Sequence, residues 1–110
     1  MFDMMKMMGK VKEVQEKMKI AQEELRNIYS EGESGAGLVK ATANGKKEII
    51  KLTIDASLYH ESDRELMNDL IVAAINKALE KADEKAKAHL QQATQGIIPN
   101  IPGFDLTGMA

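Results

Sequence analysis

The sequence predicts an α+β fold in the order α-β-β-β-α, a three-stranded antiparallel meander between long N- and C-terminal helices. Three observations carry this expectation. An apolar seam with alternating three- and four-residue spacing opens the chain, a glycine-punctuated, β-prone stretch fills the middle from Gly32 to Ile54, and a broad apolar stripe of helical period follows Glu65.

The first helix is expected from about Phe2 to Arg26, within residues 1–27. Met4, Met7, Val11, Val14, Met18, Ala21, Leu25 and Ile28 fall on the a and d positions of a heptad, and no glycine or proline interrupts the segment after Gly9. Such a seam needs a surface to cover it. It either packs on the sheet and C-terminal helix of its own chain or continues beyond them to a partner. Met4, Met5, Met7 and Met8 read as flexible packing or a frayed start rather than as a binding groove. Ile28 suits both the seam and the first strand.

The sheet is expected over residues 28–54. Asn44-Gly45 between two β-prone runs predicts a two-residue hairpin of type I′, because this dipeptide tolerates positive φ. With Ala43 opposite Lys46, Val39 falls opposite Ile50 and Gly37 opposite Leu52. Val39, Ala41, Ala43, Ile50, Leu52 and Ile54 then share an apolar face, while Lys40, Thr42, Lys47, Lys51 and Thr53 take the other with Leu38 and Ile49. A second turn at Gly35-Ala36 puts Glu31 opposite Lys40, Tyr29 opposite Thr42 and Ile28 opposite Ala43. A third strand is favoured because a lone hairpin is marginal in water.

Ser62-Asp63-Arg64-Glu65 has the form of a capping box and predicts a helix over residues 62–95. Leu66, Met67, Leu70, Ile71, Ala74, Ile75, Ala78, Leu79 and Ala82 form a stripe wide enough to cover one sheet face. Ala86, Leu90 and Ala93 continue it thinly, so the last turns read as a polar, lysine-bearing extension. Gly96 is expected to stop the helix, and Pro99 and Pro102 make residues 96–110 a flexible tail.

A chain of 110 residues reads as a single domain, 1–110. One helix layer on an open sheet leaves apolar surface uncovered, so a second chain is expected. The absence of cysteine excludes a disulfide framework and fits a reducing cytosol. Charged residues recur through the first twenty positions, leaving no apolar run for a signal peptide or membrane span; the expectation is a soluble, cytoplasmic protein without a membrane partner. A net charge of −2 argues against a partner held by bulk electrostatics alone. The distribution matters more: residues 1–20 carry five lysines against three acids, residues 77–87 four lysines against three acids, and residues 55–69 five acids with one arginine.

No enzyme motif survives inspection. Gly32, Gly35 and Gly37 suggest a phosphate loop, but no Lys-Ser/Thr pair or helix follows them, and turn glycines account for the pattern. His60 and His89 are isolated, so no metal or cofactor is expected. Ser30, Ser34, Ser57 and Ser62 lack a nucleophile frame, so no catalytic residue or small-molecule substrate is assigned. The lysines remain. Lys6, Lys10, Lys17, Lys12 and Lys19 line the first helix, and Lys77, Lys81 and Lys85 repeat at four-residue spacing on the last, with Lys87 nearby. They read either as a solvated surface paired with neighbouring acids or as a surface for nucleic-acid phosphates. Few aromatic residues are present, which disfavours single-strand recognition by stacking.

Taken together, Gly32-Glu33-Ser34-Gly35-Ala36-Gly37-Leu38-Val39-Lys40, Asn44-Gly45, Ile54-Asp55-x-Ser57-Leu58, Asp69-Leu70-Ile71-Val72-Ala73-Ala74-Ile75-Asn76 and Pro102-Gly103-Phe104 resemble the YbaB/EbfC family of bacterial nucleoid-associated proteins. The resemblance spans nearly the whole chain and lies in the order and spacing of the segments. It implies the α-β-β-β-α fold, a homodimer whose sheets join while the helices project as paired arms, and binding of duplex DNA with little or modest sequence preference in the nucleoid. Ala56 stands where relatives often have proline, which should only loosen a turn, and Lys77 stands where an acid is common.

The expected function is therefore phosphate-mediated binding of double-stranded DNA by a homodimer, with a role in nucleoid organisation or gene regulation. The expected DNA contacts, from charge and helix geometry, are Lys6, Lys10, Lys12, Lys17, Lys19, Lys77, Lys81, Lys85 and Lys87. The expected dimerisation residues are Val11, Val14, Met18, Leu38 and Ile49. The alternative is a coiled-coil protein–protein interaction module that does not bind DNA.

Overall fold

The computed structural model describes residues 4–95; Phe2, Gly96 and the proline-containing tail lie outside them. The chain runs through α1 (Met4–Glu24), a 3-10 turn (Leu25–Asn27), β1 (Tyr29–Ser34), β2 (Val39–Asn44), β3 (Ile49–Ile54), two more 3-10 turns (Ala56–Leu58 and Glu61–Asp63) and α2 (Arg64–Ala93). The strands form one antiparallel sheet in the order β1-β2-β3, so the protein has the α-β-β-β-α arrangement that its sequence predicts. It divides into two compact units: Leu25–Ala86, and α1 together with the chain from Lys87 onward.

The turn between β2 and β3 differs from expectation. It is not a two-residue type I′ turn: Lys47 has the positive φ, 63°, and Gly45 does not. Gly45-Lys46-Lys47 form the loop, closed by Lys47 N–H donating to Asn44 O at 3.0 Å and Asn44 N–H donating to Glu48 O at 3.0 Å. The Asn44 side-chain oxygen accepts from the N–H groups of Lys46 (2.9 Å) and Glu48 (3.2 Å), so asparagine supplies the turn through its side chain. Gly45 is needed for another reason. Its N–H donates to Leu25 O and Ile28 O, and a Cβ there would lie 2.8 Å from Leu25 O.

The longer loop shifts the pairing. Val39 pairs with Ile54 rather than Ile50, and Ala41 with Leu52; a bulge then opposes Ala43 to Ile49 and leaves Ile50 over. Ile49 therefore joins the face of Ala41 and Ala43, and Ile50 is the extra residue of the bulge, half exposed. The first turn also sits further along. Gly35, Ala36 and Gly37 all have positive φ, Glu31 pairs with Thr42, and Tyr29 pairs with Asn44. Ile28 lies in the connection before β1, in neither helix nor strand.

The core of the Leu25–Ala86 unit lies between the inner sheet face and α2. Val39, Ala41, Ala43, Leu58, Ala74, Ala78 and Ala82 are buried together, flanked by half-buried Leu38, Ile54, Met67, Leu70, Ile71, Ile75 and Leu79. Beside this core β1 turns only Ser30, Gly32 and Ser34 inward, because α2 lies against its backbone. A Cβ on Gly32 would collide with Ala74 O and Ala78 N, and the Ser34 hydroxyl donates to Leu70 O. Alanines every fourth residue make a helix face flat enough for this approach.

The chain does not enter α2 through the expected capping box. Ser62 lies inside the 3-10 turn Glu61–Asp63, and α2 starts only at Arg64. The preceding Asp55 is a cap: its carboxylate accepts from Ser57 N–H at 2.9 Å and starts the turn that buries Leu58. Hydrogen bonds from the Ser57 side chain and backbone hold the Asp55 carboxyl below its ordinary range.

In the other unit the α1 seam is graded. Met4 (67% exposed), Met7 (49%) and Val11 (53%) are open, Val14 and Met18 are half-buried, and Ala21 is buried. The end of α2 is more than a polar extension, since Leu90 is buried there, as is Thr94 just beyond it. His89 Nε2 stands 3.5 Å from Glu24 Oε1 within this unit.

Candidate nucleic-acid interface

The lysines expected to contact DNA sit on the two helices, and the backbone dictates what each can reach. On α1, Lys6, Lys10, Lys12, Lys17 and Lys19 are all exposed. Lys17 Nζ lies 3.6 Å from Glu13 Oε1, an i,i+4 pair worth little in water. On α2, Lys77, Lys81, Lys85 and Lys87 are likewise exposed.

Two lysines on α2 have partners that helical spacing does not reveal. Lys77 Nζ donates to Glu33 O at 3.2 Å, and Lys85 Nζ donates to Tyr29 O at 2.7 Å. The periods match: eight helical residues rise about 12 Å, and the four-residue step from Tyr29 to Glu33 spans about 13 Å. Lys81 falls midway, at the level of Glu31. Among the described residues β1 pairs only with β2, so these ammonium groups cap carbonyls on its other edge.

The expected dimerisation residues are dispersed. Val11 is exposed on α1, and Val14 and Met18 are half-buried there. Leu38 is partly absorbed by its own core, against which it packs at the end of the first turn. Ile49 is 38% exposed on the other edge strand, where Ile50 (50%) and Leu52 (41%) join it. Leu52 is an addition to the expected set: it is open because α2 leaves part of the inner face uncovered, whereas the width of the apolar stripe suggests full cover. The basic hairpin tip is a second addition, with Lys47 lying 3.9 Å from Asp83 and Arg26 lying 3.8 Å from Glu48.

Among the described residues no three His, Cys, Asp or Glu side chains are grouped to hold a metal ion, and no helix is long and apolar enough to cross a membrane.

Residues 1–97 match the family model described as the YbaB/EbfC DNA-binding family. The chain belongs to this family. Curated relatives match over most of their lengths. The nucleoid-associated protein Atu0095 of Agrobacterium fabrum is 45% identical over 106 residues, covering 96% of this chain and 98% of that protein. A nucleoid-associated protein of Francisella philomiragia is 47% identical over 105 residues, covering 96% and 90%. Among solved structures, the uncharacterized protein HP0035 of Helicobacter pylori superposes with a TM-score of 0.68 at 25% identity, covering 80% of this chain and 92% of that one. The matching family model is described as DNA-binding, and these relatives carry the name nucleoid-associated protein.

Proposed function

We propose that the protein binds duplex DNA as a homodimer, chiefly through phosphate contacts made by lysines of α1 and α2. The proposed setting is the bacterial nucleoid in the cytoplasm, where it organises DNA or regulates genes. The observation that carries the reading is a set of exposed lysines on both helices of a chain from a DNA-binding family. Point charges on flexible stems neutralise phosphates without reading bases, so the binding has little sequence preference. Lys10, Lys12, Lys19 and Lys81 are the leading contacts, with Lys6, Lys17 and Lys87 beside them. Lys77 and Lys85 contribute less, because their ammonium groups already serve β1.

Support for self-association comes from β3. Its apolar residues are half exposed, while the chain's own core is built mostly of alanine. A second copy covering β3 would supply the missing apolar contact.

The test is a salt titration of binding to random-sequence duplex. The parent should show a linear fall of log K with log[salt], and Lys10, Lys12, Lys19 and Lys81 changed to Gln should reduce the slope by about 0.9 for each phosphate no longer neutralised. Equal slopes in parent and variant would remove these four lysines from the interface. Absence of salt-sensitive binding in the parent would favour an interaction module that engages protein through its heptad.

A further inference from the structure

We infer that the methionine face of α1 enters the major groove of duplex DNA and packs its thioether side chains against thymine methyl groups. This rests on the DNA-binding reading and adds to it the apolar part of the contact. Among the described residues, Met4, Met7, Met8 and Val11, with Lys12, line an open apolar depression on the first turns of α1. Their exposures of 67%, 49%, 61% and 53% place this face outside the chain's own core. A contiguous apolar surface left in water marks a contact with something else.

Charge selects the occupant. Met4–Lys12 holds three lysines and no acid, so two copies brought together along this face would repel each other, whereas a polyanion is attracted. At about 100° per residue, Lys12 lies on one flank of the methionine face and Lys10 on the other, which suits a helix lying between two phosphate backbones. A helix is about 10–12 Å across with its side chains, and the major groove is about 12 Å wide. The apolar feature on that groove's floor is the thymine 5-methyl. Methionine is unbranched and polarizable, so it adapts to methyl groups at varying positions and gives a preference for thymine-rich sequence without a fixed site.

The experiment compares two duplexes that differ only in carrying thymine or uracil, which removes the methyl and leaves every hydrogen-bonding group in place. Parent protein should bind the thymine duplex more tightly, by about fourfold per methyl buried. Met4→Gln/Met7→Gln/Met8→Gln keeps helix propensity and all the lysines. With an unchanged circular dichroism spectrum, this variant should bind both duplexes alike and keep the parent's salt slope. Equal affinity of the parent for the two duplexes overturns the inference, and so does a variant that retains the thymine preference; in either case salt-sensitive binding leaves the phosphate reading standing. Parent protein that binds anionic phospholipid vesicles but neither duplex overturns both.

Discussion

At the scale of single residues, the turns show how one dipeptide can be chosen for a reason its type does not announce. Gly45 is held by close contact with Leu25 rather than by positive φ, and the residue in the left-handed region is Lys47. Gly45→Val should therefore destabilise the protein by at least about 1–3 kcal/mol through overpacking. Lys47→Gly should raise stability by about 1 kcal/mol by relieving the backbone, with little forfeited from its exposed pairing to Asp83. Urea unfolding of the two variants checks this; a stabilised Gly45→Val or a destabilised Lys47→Gly would contradict the turn geometry. Ala56 opens the 3-10 turn after Asp55, whose ψ of 139° suits a following proline. Ala56→Pro should add about 0.4–1 kcal/mol, read as a higher melting temperature. The lowered Asp55 carboxyl gives a stability contribution that is complete at neutral pH and lost as pH falls through the lowered value.

At the scale of elements, side-chain parity is more legible in the sequence than register. Thr42 pairs with Glu31 instead of Tyr29, and Val39 with Ile54 instead of Ile50, and both displacements are even. An even slip keeps every side chain on its face, which is why Val39, Ala41 and Ala43 lie inside as expected while their partners differ. Only the bulge alters a face, bringing Ile49 opposite Ala43. Register is hidden because it depends on loop length, and loop length here depends on Asn44 and on the carbonyls of Leu25 and Ile28. The candidate lysines are legible as helix rows, but the bonds to β1 require knowing which strand lies beside α2. Lys77→Gln/Lys85→Gln should lower stability by about 1–2 kcal/mol, whereas Lys81→Gln should leave it within about 0.5 kcal/mol. Thermal unfolding distinguishes them, and an undiminished double variant would show that the carbonyl bonds contribute nothing.

At the scale of the whole molecule, Val39 is the largest fully buried side chain among the described residues, and alanines make up most of the rest of the core. Stability of the proposed dimer should accordingly depend on concentration, with the melting temperature rising on concentration and sedimentation giving two copies at micromolar levels. Ile49→Lys with Leu52→Lys should shift the protein to monomer by placing charge on the β3 face; an unaltered dimer would locate the interface elsewhere. The lysine caps on β1 have a further consequence, best put in the terms of polymer chemistry. A sheet with two open margins is a bifunctional monomer and can add copies indefinitely, whereas a sheet with one margin occupied by its own ammonium groups is monofunctional. In the proposed dimer, pairing through β3 consumes the one reactive end of each protomer, so growth stops at two. Lys77 and Lys85 are then chain terminators, and their removal should open a route from discrete dimers to extended fibres.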